Sequence, residues 1–283
     1  MNEQMQIIES LKRKDDAVIT RVFQEHGAMV YNVCLGILKN SHAADDAAQA
    51  TFIALVKRAS RLSPSVNLAG WLYHAAVLAS KIYREHESRL KARERKASEM
   101  KSFQSQSADE TWEAIREALT VALDSLPVNQ RNAIVLTHLE GKTRLEAAAV
   151  LGAPEGTVAA WIHRGLTKLK ERLGAKNRDD RLSVAALGSL LLKHGTQAVP
   201  PESLLPSIIK TVTSGIASPT DGDATNGLFL SERVVSAMVW SKTKTYGGDR
   251  NCNPRFNRRR IWNCVCRPGN SVRHGCYRAG CRK

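Results

Sequence analysis

Apolar residues recur at helical spacing through most of the first 175 positions, and the places where that rhythm breaks divide the chain into elements. Between Ala17 and Leu38, Val18, Val22, Met29, Val33 and Ile37 fall on one face, which predicts a helix; Asn40 and Ser41 mark its stop and a new start. The stretch Ala44–Leu55 predicts an amphipathic helix whose start Ser41 caps. Ala48, Phe52, Leu55 and Ala59 form its buried stripe, and Asp45, Gln49, Thr51 and Lys57 are left for other faces. Asp45 and Asp46 lie near the positive end of that helix dipole. Ser63-Pro64-Ser65 interrupts the pattern, and a third helix begins near Asn67 with Leu68, Trp71, Leu72, Ala75, Leu78, Ala79 and Ile82 inward. Three helices with short connections predict an antiparallel bundle.

Past Leu78 the third helix turns basic: Lys81, Arg84, Arg89, Lys91, Arg93, Arg95 and Lys96 alternate with Glu85, Glu87, Glu94 and Glu99. Such a mixture suits either a solvated, salt-bridged helix or one lying along a phosphate backbone. The Ser/Gln-rich stretch from Lys101 to Ala108 has no period and predicts a linker. A helix carrying Trp112, Ile115, Leu119 and Ala122 follows, then one from Val128 to Leu139 opened by Pro127 and closed by Gly141. Thr143-Arg144-Leu145-Glu146 is a capping box that opens a short helix ending at Gly152. Ala153-Pro154-Glu155-Gly156 is a turn, and a longer helix runs from Thr157 to about Leu173 with Val158, Ile162, Leu166, Leu169 and Leu173 inward. Short helix, Gly-bearing turn and longer helix predict a helix-turn-helix. Its second helix would enter a major groove with Thr157, Ala159, Ala160, His163 and Arg164 toward the bases and Lys168 and Lys170 nearer the backbone.

Leu182–Lys193, Ser203–Val212 and Ser231–Trp240 return to helical pattern, separated by Pro200-Pro201 and the polar stretch Ser218–Asn226. Charge then alters the picture. The net charge of +15 points to a polyanionic partner, yet ten basic and no acidic residues lie from Arg250 to Lys283, leaving about +5 for the rest. Five of six cysteines also sit in that tail; Cys34 lies alone in an apolar helix and reads as a packed thiol. Three readings of the tail compete. One is a zinc site among Cys264, Cys266, His274, Cys276 and Cys281, whose spacings miss the usual C-x₂-C pattern. The others are a basic nucleic-acid arm and, preferred here, translation in a shifted frame after about Thr245, where composition breaks sharply. No run of apolar residues is long enough for a membrane span, and the N-terminus lacks the order of a signal peptide, so a cytoplasmic location is expected.

Five blocks, in this order and separation, carry a specific resemblance: ADDAAQATFIAL (44–55), NLAGWLYHAA (67–76), RLKARE (89–94), LDSLPVNQRNAIVL (123–136) and the segment from Leu139 to Leu173. Together they resemble a bacterial RNA polymerase sigma factor of the sigma-70 family, extracytoplasmic-function group, in its long form with a C-terminal extension. The resemblance implies an all-α protein that binds core RNA polymerase and directs promoter recognition. It implies a region-2-like domain (15–100), a linker (101–110), a region-4-like helix-turn-helix domain (111–175), an extension (176–245) and the basic tail (246–283). By position, Asp45, Asp46, Gln49 and Phe52 match the polymerase-binding motif, with Phe52 packing as much as touching. The loop Leu62–Leu68 falls where a −10 base is captured, and Arg84, Arg89, Lys91 and Arg93 follow the backbone there. Thr157, His163, Arg164 and Lys168 fall at the −35 element. Ala159, Ala160 and Trp161 replace the basic residues that the family often carries, so −35 reading is expected to be weak or shape-based.

Core RNA polymerase and promoter DNA are the implied partners, and an anti-sigma factor is left open as a third. No cofactor, resident metal or catalytic residue is expected. Two rival readings are a helix-turn-helix regulator acting without polymerase, and an enzyme using His42 with Asp45 and Asp46. The first has no need of the Asp-Asp-x-x-Gln-x-x-Phe arrangement, and the second lacks a nearby third ligand or nucleophile.

Overall fold

The computed structural model describes residues 3–63, 66–95, 110–174, 184–195, 199–213 and 229–238, and among these no strand occurs. All of them fall in one compact unit, Met1–Val239; the cysteine-rich tail, and with it every reading of that tail, lies outside the described residues.

The first block is built from α1 (Glu3–Lys12), α2 (Asp16–Leu38), α3 (Ser41–Arg58) and α4 (Leu68–Arg95). Helix α1 was not anticipated; it buries Ile8 and Leu11 against α2 and a 3-10 turn at Ala59–Arg61. Asp15 caps α2 by accepting from the Ala17 N–H at 3.0 Å, and Lys39 closes it in the left-handed region at φ 56°. The cap of α3 is Asn40, not Ser41. Asn40 holds the extended backbone a cap requires, and its Oδ1 accepts from the Ala43 N–H at 3.1 Å, whereas Ser41 is already helical. At α4 the Asn67 side chain accepts from the Gly70 N–H at 2.7 Å.

Helix α3 packs against both α2 and α4, which also pack on each other, and with the helix Leu204–Thr213 on it as well this departs from the expected polar face. Gln49 and Thr51 are buried along with the predicted stripe, and Thr51 satisfies its hydroxyl by donating to the Ala47 carbonyl at 2.8 Å. Phe52 is 2 % exposed, and its ring sits 5.2 Å from that of Phe23 at a tilt of 54°. Burying such a side chain stabilises the fold by roughly 1.5–3 kcal/mol. Cys34 is fully buried, and desolvation pushes its thiol up to about 12, as suits a packed, inert side chain.

The second block comprises α5 (Glu110–Asp124), α6 (Val128–Ile134), α7 (Arg144–Leu151) and α8 (Glu155–Gly174). The helix expected to run from Val128 to Leu139 loosens after Ile134 into one π-helical turn, Val135–Leu139, closed by Glu140 N–H donating to Val135 O at 3.0 Å. The linker residues 101–109 lie outside the described residues.

The two blocks touch directly. Arg116 donates to the Asn32 carbonyl at 3.0 Å, Tyr73 to the Thr120 carbonyl at 2.8 Å, and His74 Nδ1 stands 2.7 Å from Asp124 Oδ1. His26 Nδ1 lies 2.6 Å from Glu140 Oε1 with both side chains buried, and Lys142 pairs with Glu25 at 2.8 Å. Gly70 permits the closest approach: a Cβ there would stand 1.9 Å from Asn132 Oδ1. The extension supplies α9 (Val184–Gly195), packed on the π-helical turn and α8, α10 (Leu204–Thr213), packed on α3 and α2, and a further helix, α11 (229–238).

Candidate docking and nucleic-acid interfaces

The first group of predicted residues lies in the second turn of α3: the helix begins at Ser41 with no acidic residue in its first turn, so Asp45 and Asp46 stand beyond the end where the dipole acts. Asp45 and Asp46 are half-buried one turn past the Asn40 cap. Burial raises the Asp45 carboxyl above its ordinary value, with His42 partly offsetting it, and Asp45 Oδ1 has no hydrogen-bond partner among the described residues. Such a carboxylate gains from any cation brought to it. Gln49, one turn further on, is buried beneath α10, to whose Ser207 hydroxyl its Nε2 donates. Phe52 belongs to the core. Asp45 and Asp46 thus remain partly accessible, while Gln49 and Phe52 do not.

The basic run of α4 is only partly described. Arg84 is exposed and paired with Glu117 of α5, and Arg89 is exposed and 3.3 Å from Glu85 one turn back. Lys91 and Arg93 continue the same helix by their backbone, and their side chains lie outside the description. In the loop before α4, Leu62 is buried and Pro64-Ser65 lie outside the described residues. Trp71 packs against the core rather than standing free.

The helix-turn-helix forms, with its second helix starting two residues earlier than expected: Glu155 and Gly156 are already helical, and the turn shortens to Gly152–Pro154. Thr143 and Glu146 exchange both capping-box bonds: the hydroxyl accepts from Glu146 N–H at 3.2 Å and the carboxylate from Thr143 N–H at 2.7 Å. The Thr143 N–H and the Thr143 hydroxyl, which donates to the same carboxylate oxygen at 2.8 Å, hold the Glu146 carboxyl below its ordinary value. Gly152 ends α7 in the left-handed region at φ 62°, a conformation that an L side chain resists. Pro154 then starts α8 through its carbonyl, which accepts from Thr157 N–H at 2.9 Å. Val158, Leu166, Leu169 and Leu173 face inward. His163 and Arg164 are exposed, Thr157 and Lys168 half-buried, and Arg164 Nε donates to the Ala160 carbonyl at 3.1 Å. Trp161 packs against the core, so the exposed polar groups near the start of α8 are few.

What sequence reasoning missed here is the set of pairings made across the chain: Glu117 on Arg84 and Ser207 on Gln49. Neither partner is periodic or part of a motif, and no local signal marks them.

The family description "Sigma-70 region 2" matches residues 22–90, and "Sigma-70, region 4" matches residues 116–169. RNA polymerase sigma factor CarQ of Myxococcus xanthus is 30% identical over 156 residues, which are 54% of this chain and 87% of that one. ECF RNA polymerase sigma factor SigE of Mycolicibacterium smegmatis is 29% identical over 154 residues, covering 53% of this chain and 59% of its own length. Among solved structures, that of CnrH in complex with the cytosolic domain of CnrY aligns with 62% of this chain at 21% identity and a TM-score of 0.34.

Proposed function

The chain belongs to the sigma-70 family of RNA polymerase sigma factors, extracytoplasmic-function group, and from that premise we propose how its residues divide the work of initiation. It binds core RNA polymerase and directs promoter-specific transcription initiation. In our reading α3 docks on the polymerase through Asp45, Asp46 and Gln49, with Phe52 holding the helix in place. The basic run of α4, from Arg84 through Arg89, Lys91 and Arg93, follows the −10 backbone, and α8 meets the −35 element through Thr157, His163, Arg164 and Lys168. Residues 15–100 and 111–175 are the two functional domains, joined by 101–110. These side chains bind and position; the polymerase makes the bonds, which sets the working compartment as the cytoplasm.

One observation carries this reading: a helix with an acidic pair in its second turn, Asp45 and Asp46, the former with an oxygen unpartnered among the described residues, stands ahead of a capped helix-turn-helix in the same chain. A regulator that only grips DNA has no use for the first half. With few exposed polar groups at the start of α8, −35 discrimination rests on His163 and Arg164, each good bidentate base contact supplying roughly 1–3 kcal/mol.

Run-off transcription with purified core polymerase tests the division of labour. Asp46→Arg is expected to weaken core binding at least about tenfold, or roughly 1.4 kcal/mol, and to abolish promoter-specific transcripts. Arg164→Ala should leave core binding intact and lower transcript yield. If Asp46→Arg supports wild-type transcription, or Arg164→Ala loses core binding as well, the assignment is wrong.

A further inference from the structure

Gln49 is 9 % exposed although it lies on the helix that we read as the polymerase-docking surface. What covers it is the chain's own extension. Helix α10 places Leu204, Ile208 and Val212 on one stripe at four-residue spacing, all buried, as it packs on α3 and α2. Its polar contact to α3 is made to Gln49 itself, through the Ser207 hydroxyl. Further along α3, Lys57 Nζ donates to Ser231 Oγ of α11 at 3.1 Å and stands 3.9 Å from Glu232. The Phe229 ring of α11 lies 5.6 Å from that of His86 on α4. Two of the extension's helices, α10 and α11, therefore engage α3, at contacts about 12 Å apart along its axis.

We propose that α10 is a built-in competitor for the docking face of α3, an autoinhibitory contact that lowers the affinity of the chain for core polymerase until the extension is displaced. The proposal rests on the reading of α3 given above. A partner that reaches Gln49 must occupy the space α10 fills, so the two exclude each other. Binding then proceeds from the fraction of molecules in which α10 has lifted, and the apparent dissociation constant is the intrinsic one divided by that fraction. Because α10 is held by an aliphatic stripe and a hydroxyl, its release needs no chemical step. The exposed stripe of the lifted helix is the handle by which another component would hold it away.

Hydrogen exchange of the full-length chain with and without core polymerase decides the matter without any substitution. Residues 204–213 are expected to lose protection in the complex while 44–55 gain it. Protection of 204–213 that persists while 44–55 are also protected overturns the competition and leaves the docking reading standing. Unchanged exchange over 44–55 in a complex that forms overturns the docking reading, and the proposal with it. Independently, Ile208→Asp in the full chain should raise apparent core affinity about tenfold, the gain expected when an uncovered state populated at about one part in ten becomes dominant. Adding Asp46→Arg to that variant should remove the gain. An Ile208→Asp chain that keeps its helical circular dichroism and binds no tighter than wild type refutes the proposal.

Discussion

Gly70 and Gly156 occupy helices of the same chain under opposite constraints. A methyl group on Gly70 would stand 1.9 Å from Asn132 Oδ1 and 2.6 Å from its Cγ, whereas one on Gly156 meets nothing within 4 Å. Alanine is favoured over glycine in a helix by about 0.8–1.0 kcal/mol, while overpacking a core contact costs typically 1–3 kcal/mol. Asn132 is 8 % exposed and short, so it has little room to swing aside. Gly70→Ala is therefore expected to destabilise the fold by about 1–2 kcal/mol net, and Gly156→Ala to be neutral or stabilising by up to about 1 kcal/mol. Urea unfolding of the two variants checks this, and a stabilised Gly70→Ala would show that α4 and α6 are not held at this separation. The role of Phe52 could be read from its helical spacing, because burial on a helix face is a local pattern. That of Gly70 could not, since it depends on an apposed residue that only tertiary packing brings near.

Helix boundaries follow the same division between local and distant causes. The capping box of α7 was legible because its two partners lie three residues apart and satisfy each other. The substitution of Asn40 for Ser41 as the α3 cap turns on one residue's backbone angles, which either side chain could have adopted. Helix α1 escaped notice although Ile7, Ile8 and Leu11 are buried, because so short a helix forms only against the surface it covers. The π-helical turn after Ile134 carries no composition signal. For the capping box the consequence can be measured. Thr143→Ala should cost about 1 kcal/mol, the usual worth of an N-cap hydroxyl. The Glu146 carboxyl is held below its ordinary 4.5 by bonds from Thr143, so its contribution is complete above that value and is lost as pH falls through the lower folded value. The stability gap between wild type and Glu146→Ala, measured by urea titration, is expected to be full at neutral pH and to close in acid. A gap independent of pH would mean that the carboxylate is not what closes the box.

At the scale of the whole molecule, the blocks were legible in order and the contacts between them were not. Region-2-like and region-4-like segments each carry their own periodicity, but nothing periodic forecasts that Arg84 on α4 would meet Glu117 on α5, or that α10 would seat on α3. These contacts link separately readable elements, and they bear on how the chain meets DNA. In our reading Arg84 serves the −10 backbone, so its guanidinium must exchange Glu117 for a phosphate, and α5 must release that part of α4. The Arg84 and Glu117 side chains are 49% and 29% exposed, and pairs so open to solvent contribute only about 0–1 kcal/mol, which makes the exchange inexpensive. Two substitutions separate the roles. Removing a true phosphate contact with Arg84→Ala should flatten the slope of log affinity against log salt by about 0.7–0.9 for the holoenzyme on promoter DNA. Glu117→Gln frees Arg84 without adding or deleting a phosphate contact, so it should tighten binding up to about fivefold, matching the upper worth of the exposed pair, and leave the slope unchanged. Filter binding across about 50–200 mM salt reads both quantities. If the two variants shift affinity in the same direction and neither changes the slope, Arg84 is a partner of α5 alone and the −10 backbone is followed by other cations.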